Sequence, residues 1–120
     1  MVKMHIALRS IDCKKMADFY VNLLGFKILN FISDDKGRFD IYFLSDTEIP
    51  KLEIITNWDE KNITQGRTLF HYGFYIENYH EILQCCKKME LPIIEQNTVN
   101  DKLQFYTLDP DGNFLEFTES

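Results

Sequence analysis

Cysteine is scarce in this chain of 120 residues: there are three, Cys13, Cys85 and Cys86. They show no C-x-x-C spacing and no zinc-finger partners, and their number is odd. Reduced, structural thiols are therefore expected. Long apolar runs are also missing. No stretch approaches the roughly 18 to 20 residues of a membrane span, and the first residues lack the charged-then-apolar order of a signal peptide. The expectation is a cytoplasmic protein with no membrane partner. Basic charge is short as well, with 13 Lys and Arg against 19 Asp and Glu for a net charge of -6. No basic stripe exists to neutralise phosphates, which argues against a nucleic-acid partner. What the chain does have is 45% hydrophobic residues, enough for one compact domain with a buried core.

The chain is arranged around Leu69 to Ile76, LFHYGFYI, a strand pattern that carries His71 and runs into a helical pattern. Met4 to Ser10, MHIALRS, has the same shape around His5. Later in each half a glutamate sits inside a short apolar strand run, Glu53 in KLEIITN and Glu116 in NFLEFTE. Each half thus offers one early His and one late Glu.

Taken in order, Met4, Ile6 and Leu8 share one strand face, and His5, Ala7 and Arg9 the other. Asp12 suits an N-cap, Met16, Phe19, Tyr20, Leu23 and Leu24 recur at helical spacing, and Gly25 suits the residue just past the helix end. Phe26 to Ile32 and Phe39 to Leu44 read as strands joined by the Asp34-Asp35-Lys36-Gly37 turn. Leu52 to Asn57 alternates so that Glu53 and Asn57 point the same way. Trp58 to Thr68 is polar and aperiodic, a linker between a first module of about 1–57 and a second of about 69–120. After Leu69–Ile76, Asn78 is expected to cap a helix burying Ile82, Leu83, Cys86 and Met89 and ending before Pro92. Strands at Ile93–Thr98, Lys102–Leu108 and Asn113–Thr118 follow, the last two joined by Asp109-Pro110-Asp111-Gly112. The order predicts an α+β fold of two βαβββ modules, whose mixed sheets can curl into a cup.

A strand histidine or carboxylate taken alone is commonly a rim or solvent-facing residue. A carboxylate in an apolar strand is nevertheless costly to bury unless paired, protonated or metal-bound. The repetition of His then Glu at matching strand positions points to a shared divalent-metal site. Two imidazoles and two carboxylates leave room for water or substrate oxygens in an octahedral sphere, suited to Ni²⁺, Co²⁺, Fe²⁺, Mn²⁺ or, less typically, Zn²⁺. Such a metal polarises a carbonyl and acidifies the adjacent carbon, and a carboxylate nearby serves as base. His80, on the second helix, reads as a solvated residue.

The repeated βαβββ order, with MHIALRS, DFYVNLLGF, FHYGF and LDPDGNFLEF, resembles the glyoxalase or vicinal oxygen chelate superfamily over essentially the whole chain. KLEIITNW is similar to the corresponding strand of the glyoxalase I branch. The resemblance implies that His5, Glu53, His71 and Glu116 are the metal ligands. It implies that Arg9 and Asn57 hold the γ-glutamyl end of a glutathione-type thiol, and that Arg67 and Lys102 engage its glycyl carboxylate. The plain alternative for Arg9 and Asn57 is a rim salt bridge and a turn-capping amide. It further implies isomerisation of a methylglyoxal–thiol hemithioacetal to an S-2-hydroxyacyl thiol through an enediolate. Glu116 would be the principal base and Glu53 the second carboxylate. The short chain resembles the nickel- or cobalt-activated class rather than the zinc class. A homodimer is implied, with His5 and Glu53 of one subunit meeting His71 and Glu116 of the other, although the linker length permits an intrachain cup as well.

Other readings remain within and beyond that branch. A methylmalonyl-CoA epimerase-like enzyme would carry an amide in place of Glu53, and thiol transferases use three ligands without a Glu53 counterpart. A metal-free binding or resistance module would lack the ligands.

Overall fold

The computed structural model describes residues 1–64 and 71–120. The chain divides into two compact units, Met1–Gln65 and Gly66–Ser120. The first contains β1 (Ile6–Arg9), α1 (Cys13–Leu24), β2 (Lys27–Asp34), β3 (Phe39–Ser45) and β4 (Leu52–Asn57). The second contains β5 (Tyr72–Ile76), α2 (Tyr79–Lys88), β6 (Glu95–Val99), β7 (Lys102–Leu108) and β8 (Phe114–Glu119). Each unit is a βαβββ module. Its four-stranded mixed sheet runs β1-β4-β3-β2 in the first and β5-β8-β7-β6 in the second. The first and last strands of each module pair in parallel, and the remaining neighbours are antiparallel. Among the described residues no helix is long and apolar enough to cross a membrane.

Helix α1 forms where the sequence places its signals. The Asp12 carboxylate accepts from Lys15 N at 3.1 Å, closing one orphan donor of the first turn. Met16, Ala17, Phe19, Tyr20 and Leu23 are buried, the stripe that recurs every three to four residues on one helix face. Gly25 ends the helix at φ 69, where a side chain would be strained. That stripe packs with the sheet face carrying Leu8, Leu44, Leu52 and Ile54, all buried. The β1–α1 joint is tied to β4 by Thr56, whose hydroxyl donates to Ser10 O and accepts from Cys13 N, both at 2.8 Å.

Helix α2 departs from expectation at both ends. Asn78 occupies the N-cap position but makes no side-chain capping bond. Tyr79 joins Ile82, Leu83 and Cys86 in the buried stripe, whereas Met89 is the C-cap and is exposed. Under the helix, Phe117 lies between the rings of Phe74 and Phe105, with centroids 5.5 and 5.3 Å away. Such aromatic contacts add to the area that burial removes from water.

The turn before β8 is built on Asp109. Its carboxylate accepts from Asp111 N at 3.0 Å, Asn113 N at 2.9 Å, Asn113 Nδ2 at 2.8 Å and the Tyr72 hydroxyl at 2.9 Å. Gly112, at φ 83, allows the left-handed step. These bonds fix where β8 begins beside β5, and so where Glu116 stands.

Candidate functional site

In both units the glutamate lies on the sheet face away from the helix, beside a very small residue. Glu53 pairs with Ala7 across β1 and β4, and Glu116 pairs with Gly73 across β5 and β8. The histidine lies two positions before that small residue and one before its strand begins, at Ile6 or Tyr72. His71 thus precedes β5 instead of lying inside it, and the first residues of the expected strand, 69–70, lie outside the described residues. The result is one arrangement made twice. His5 Nε2 is 3.2 Å from Glu53 Oε2, and His71 Nε2 is 3.0 Å from Glu116 Oε2. A methyl group built on Gly73 would meet Glu116 Oε1 at 3.5 Å, an ordinary contact that explains why Ala7 fits the matching place. The first pair is the more open, with the His5 side chain 54% exposed against 29% for His71.

The surroundings of the two carboxylates differ. The Tyr106 hydroxyl donates to Glu116 Oε2 at 2.6 Å, and Thr118 Oγ1 donates to Oε1 at 3.2 Å. Thr118 in turn accepts from Gln104 Nε2 at 3.1 Å. The bond to Glu116, with some help from burial, pushes the Tyr106 phenol up to about 12, so it remains a donor at neutral pH. Each unit by itself offers two imidazole or carboxylate groups of the kind that bind divalent cations. Within neither unit, among the described residues, do three His, Cys, Asp or Glu side chains gather.

The structure brings Arg9 and Asn57 together through Glu60. Arg9 Nη1 stands 3.8 Å from Glu60 Oε2, and Asn57 Nδ2 donates to Glu60 Oε1 at 3.4 Å. Lys102 is exposed at the start of β7, four residues before Tyr106 on the same strand face. Arg67 lies outside the described residues. His80 is exposed on α2.

Tyr106, Thr118 and Glu60 were not singled out in the sequence. The signal for Tyr106 and Thr118 was strand parity: both share Glu116's face once the β7/β8 register is known. Glu60 carried no signal, because it follows β4 in an aperiodic segment.

The family model described as Glyoxalase/Bleomycin resistance protein/Dioxygenase superfamily matches residues 4–117. The chain is similar to the lactoylglutathione lyase of Neisseria meningitidis serogroup A, 26% identical over 122 residues that cover 97% of this chain and 88% of that one. It is similar to the lactoylglutathione lyase of Pseudomonas aeruginosa, 26% identical over 145 residues that cover 97% and 81%. Its fold is like that of the trypanothione-dependent glyoxalase I of Leishmania major, with a TM-score of 0.84 at 21% identity, covering 96% of this chain and 84% of that one.

Proposed function

Since the chain belongs to the glyoxalase/bleomycin resistance protein/dioxygenase superfamily, we propose that it is a metal-dependent lyase of the glyoxalase I kind. It would convert the hemithioacetal of methylglyoxal and a thiol, glutathione or another, into an S-2-hydroxyacyl thiol. The observation that carries the reading is the duplicated pair, one imidazole against one carboxylate in each unit, at 3.2 and 3.0 Å. Relatives named lactoylglutathione lyase support it.

His5, Glu53, His71 and Glu116 would hold one divalent cation. In each pair an imidazole Nε2 and a carboxylate Oε2 already stand together, at 3.2 and 3.0 Å, a donor set whose chemistry fits such a cation. The mixture of two nitrogen and two oxygen donors suits Ni²⁺, Co²⁺, Fe²⁺, Mn²⁺ or, less typically, Zn²⁺, and resemblance to the short nickel- or cobalt-activated class favours the first two. When bound, the cation supplies Lewis acidity, polarising the substrate carbonyl and acidifying the carbon beside it. The remaining work falls to the chain's own groups. Glu116 removes the proton from C1, the carbon bearing sulfur, that proton ends on C2, and Glu53 is the second carboxylate, serving the opposite face or handing the proton back. Arg9 and Asn57 hold the γ-glutamyl end of the thiol, while Arg67 and Lys102 engage its far carboxylate.

In this reading the protein is a cytoplasmic homodimer. His5 and Glu53 of one subunit meet His71 and Glu116 of its partner, which supplies the two further donors that each unit lacks.

The test is metal analysis of the purified protein, followed by an assay with methylglyoxal and several thiols on apo-protein reloaded with Ni²⁺, Co²⁺ or Zn²⁺. Turnover that disappears on chelation and returns with one of these ions is expected. Glu116→Gln should keep the fold and part of the metal while losing about 10³-fold or more in kcat, the scale of an essential general base. Bound metal without turnover on any thiol would remove the lyase assignment, and full activity in Glu116→Gln would remove Glu116 as the base.

A further inference from the structure

Glu116 and Glu53 occupy matching places but are held differently. Across the antiparallel β7/β8 pair the residue opposite Glu116 is Tyr106. Across β3/β4 the residue opposite Glu53 is Phe43, whose ring has no hydroxyl to donate. Two positions beyond each carboxylate the difference recurs. Thr118 donates to Glu116, whereas the matching residue of β4 is Ile55. The Tyr106 ring also stands edge-on to the His71 imidazole, with centroids 5.3 Å apart and an interplanar angle of 79°. Tyrosine, histidine and glutamate therefore close a triangle with an observed contact on every side.

We propose that Tyr106 is a positioning residue whose hydroxyl fixes the Glu116 carboxylate for cation binding, so that the second module presents a pre-set half-site and the first an adjustable one. The inference rests on the proposed ligand role of Glu116. A glutamate side chain loses rotamer freedom when it is ordered. A hydrogen bond already in place lets that ordering precede the cation, and partners of this outer kind are commonly worth 10- to 100-fold in metal affinity. Glu53 has no hydroxyl beside it at either matching position, so its ordering falls on the binding event itself.

The experiment is calorimetric titration of metal-free protein with Ni²⁺ in wild type, Tyr106→Phe, Glu116→Ala and the double variant. Thermal unfolding is recorded without metal, and the visible spectrum with Co²⁺. The Tyr106→Phe change keeps the ring against His71 and removes only the hydroxyl. The expected result is about 10-fold or greater loss of Ni²⁺ affinity, a shifted Co²⁺ spectrum, and a metal-free Tm close to wild type. In the Glu116→Ala background, which leaves the hydroxyl no acceptor at that position, the same change should cost nothing further, because the effect runs through that carboxylate. Wild-type affinity in Tyr106→Phe overturns the inference while leaving the metal reading standing. So does an affinity loss that persists undiminished in the double variant. Absence of Ni²⁺, Co²⁺ and Zn²⁺ binding by the wild type overturns both.

Discussion

Asp109 ties the turn before β8 to β5 through its carboxylate. It is 4% exposed and accepts four hydrogen bonds from Tyr72, Asp111 and Asn113. Asp109→Ala leaves those donors without a carboxylate, and about 2 to 4 kcal/mol of stability should be lost, read as a lower urea midpoint. Arg9 is the opposite case. Its side chain is 68% exposed and its ion pair with Glu60 is long at 3.8 Å, so the pair contributes little to folding. Arg9→Ala should leave Tm unchanged and raise KM for the thiol conjugate roughly tenfold at constant kcat, the signature of lost binding rather than lost chemistry. The cysteines separate in the same way. Burial pushes the Cys86 thiol up to about 12 and raises that of Cys13, and both are closed to solvent while Cys85 is only half-buried. Iodoacetamide at pH 8 should therefore label Cys85 alone in the native protein, checked by mass spectrometry. Because Cys86 titrates higher folded than unfolded, its contribution to stability is complete below pH 9.0 and falls away as pH rises toward about 12. At this scale the two histidines and two glutamates stood out in the sequence, since a polar residue in an apolar strand repeats visibly. Tyr106 did not, because its importance depends on which residue faces it across β7/β8, and register is a property of two strands together.

Helix ends show how far local signals reach. Helix α1 was legible at both termini because Asp12 and Gly25 each perform the task their chemistry suits. Helix α2 is closed instead by Glu90, the residue after its Met89 C-cap, at φ 58, with Leu91 N donating to Cys86 O at 2.9 Å and Glu90 N to Lys87 O at 3.1 Å. That is the double-bonded helix stop usually built on glycine, here carried by a residue with a Cβ. Glu90→Gly should therefore raise stability by about 0.5 to 1 kcal/mol, measurable as a higher thermal midpoint. Among the strands, β4 and β7 could be bounded correctly because Pro50 and Asp109-Pro110 punctuate them. The β6 boundary was less clear. Its hairpin turns on Asn100 and Asp101, at φ 51 and 62, a left-handed pair compatible with a tight hairpin but lacking the glycine that would have announced it. The strand consequently runs from Glu95 to Val99 rather than from Ile93 to Thr98.

At the level of the whole molecule the duplicated βαβββ order was legible because hydrophobic period and helix signals recur in the same sequence twice. Distances between side chains were not, since alternation places residues on a face without saying how near they come. The proposed dimeric site makes a prediction that belongs to this scale. His5→Ala and His71→Ala should each be inactive alone. Unfolded together and refolded as a mixture, they should regain about a quarter of wild-type activity by random pairing, because half the dimers would carry one intact site of two. A mixture no more active than its components would place each site within a single chain.

The small residues beside the two glutamates set a condition that no inventory of ligands expresses. Ala7 and Gly73, the residues paired with Glu53 and Glu116, place at most one side-chain carbon beside each carboxylate. A descendant of this chain could retain all four imidazole and carboxylate groups, acquire a leucine at either place, and have that larger side chain crowd the carboxylates proposed to hold the cation.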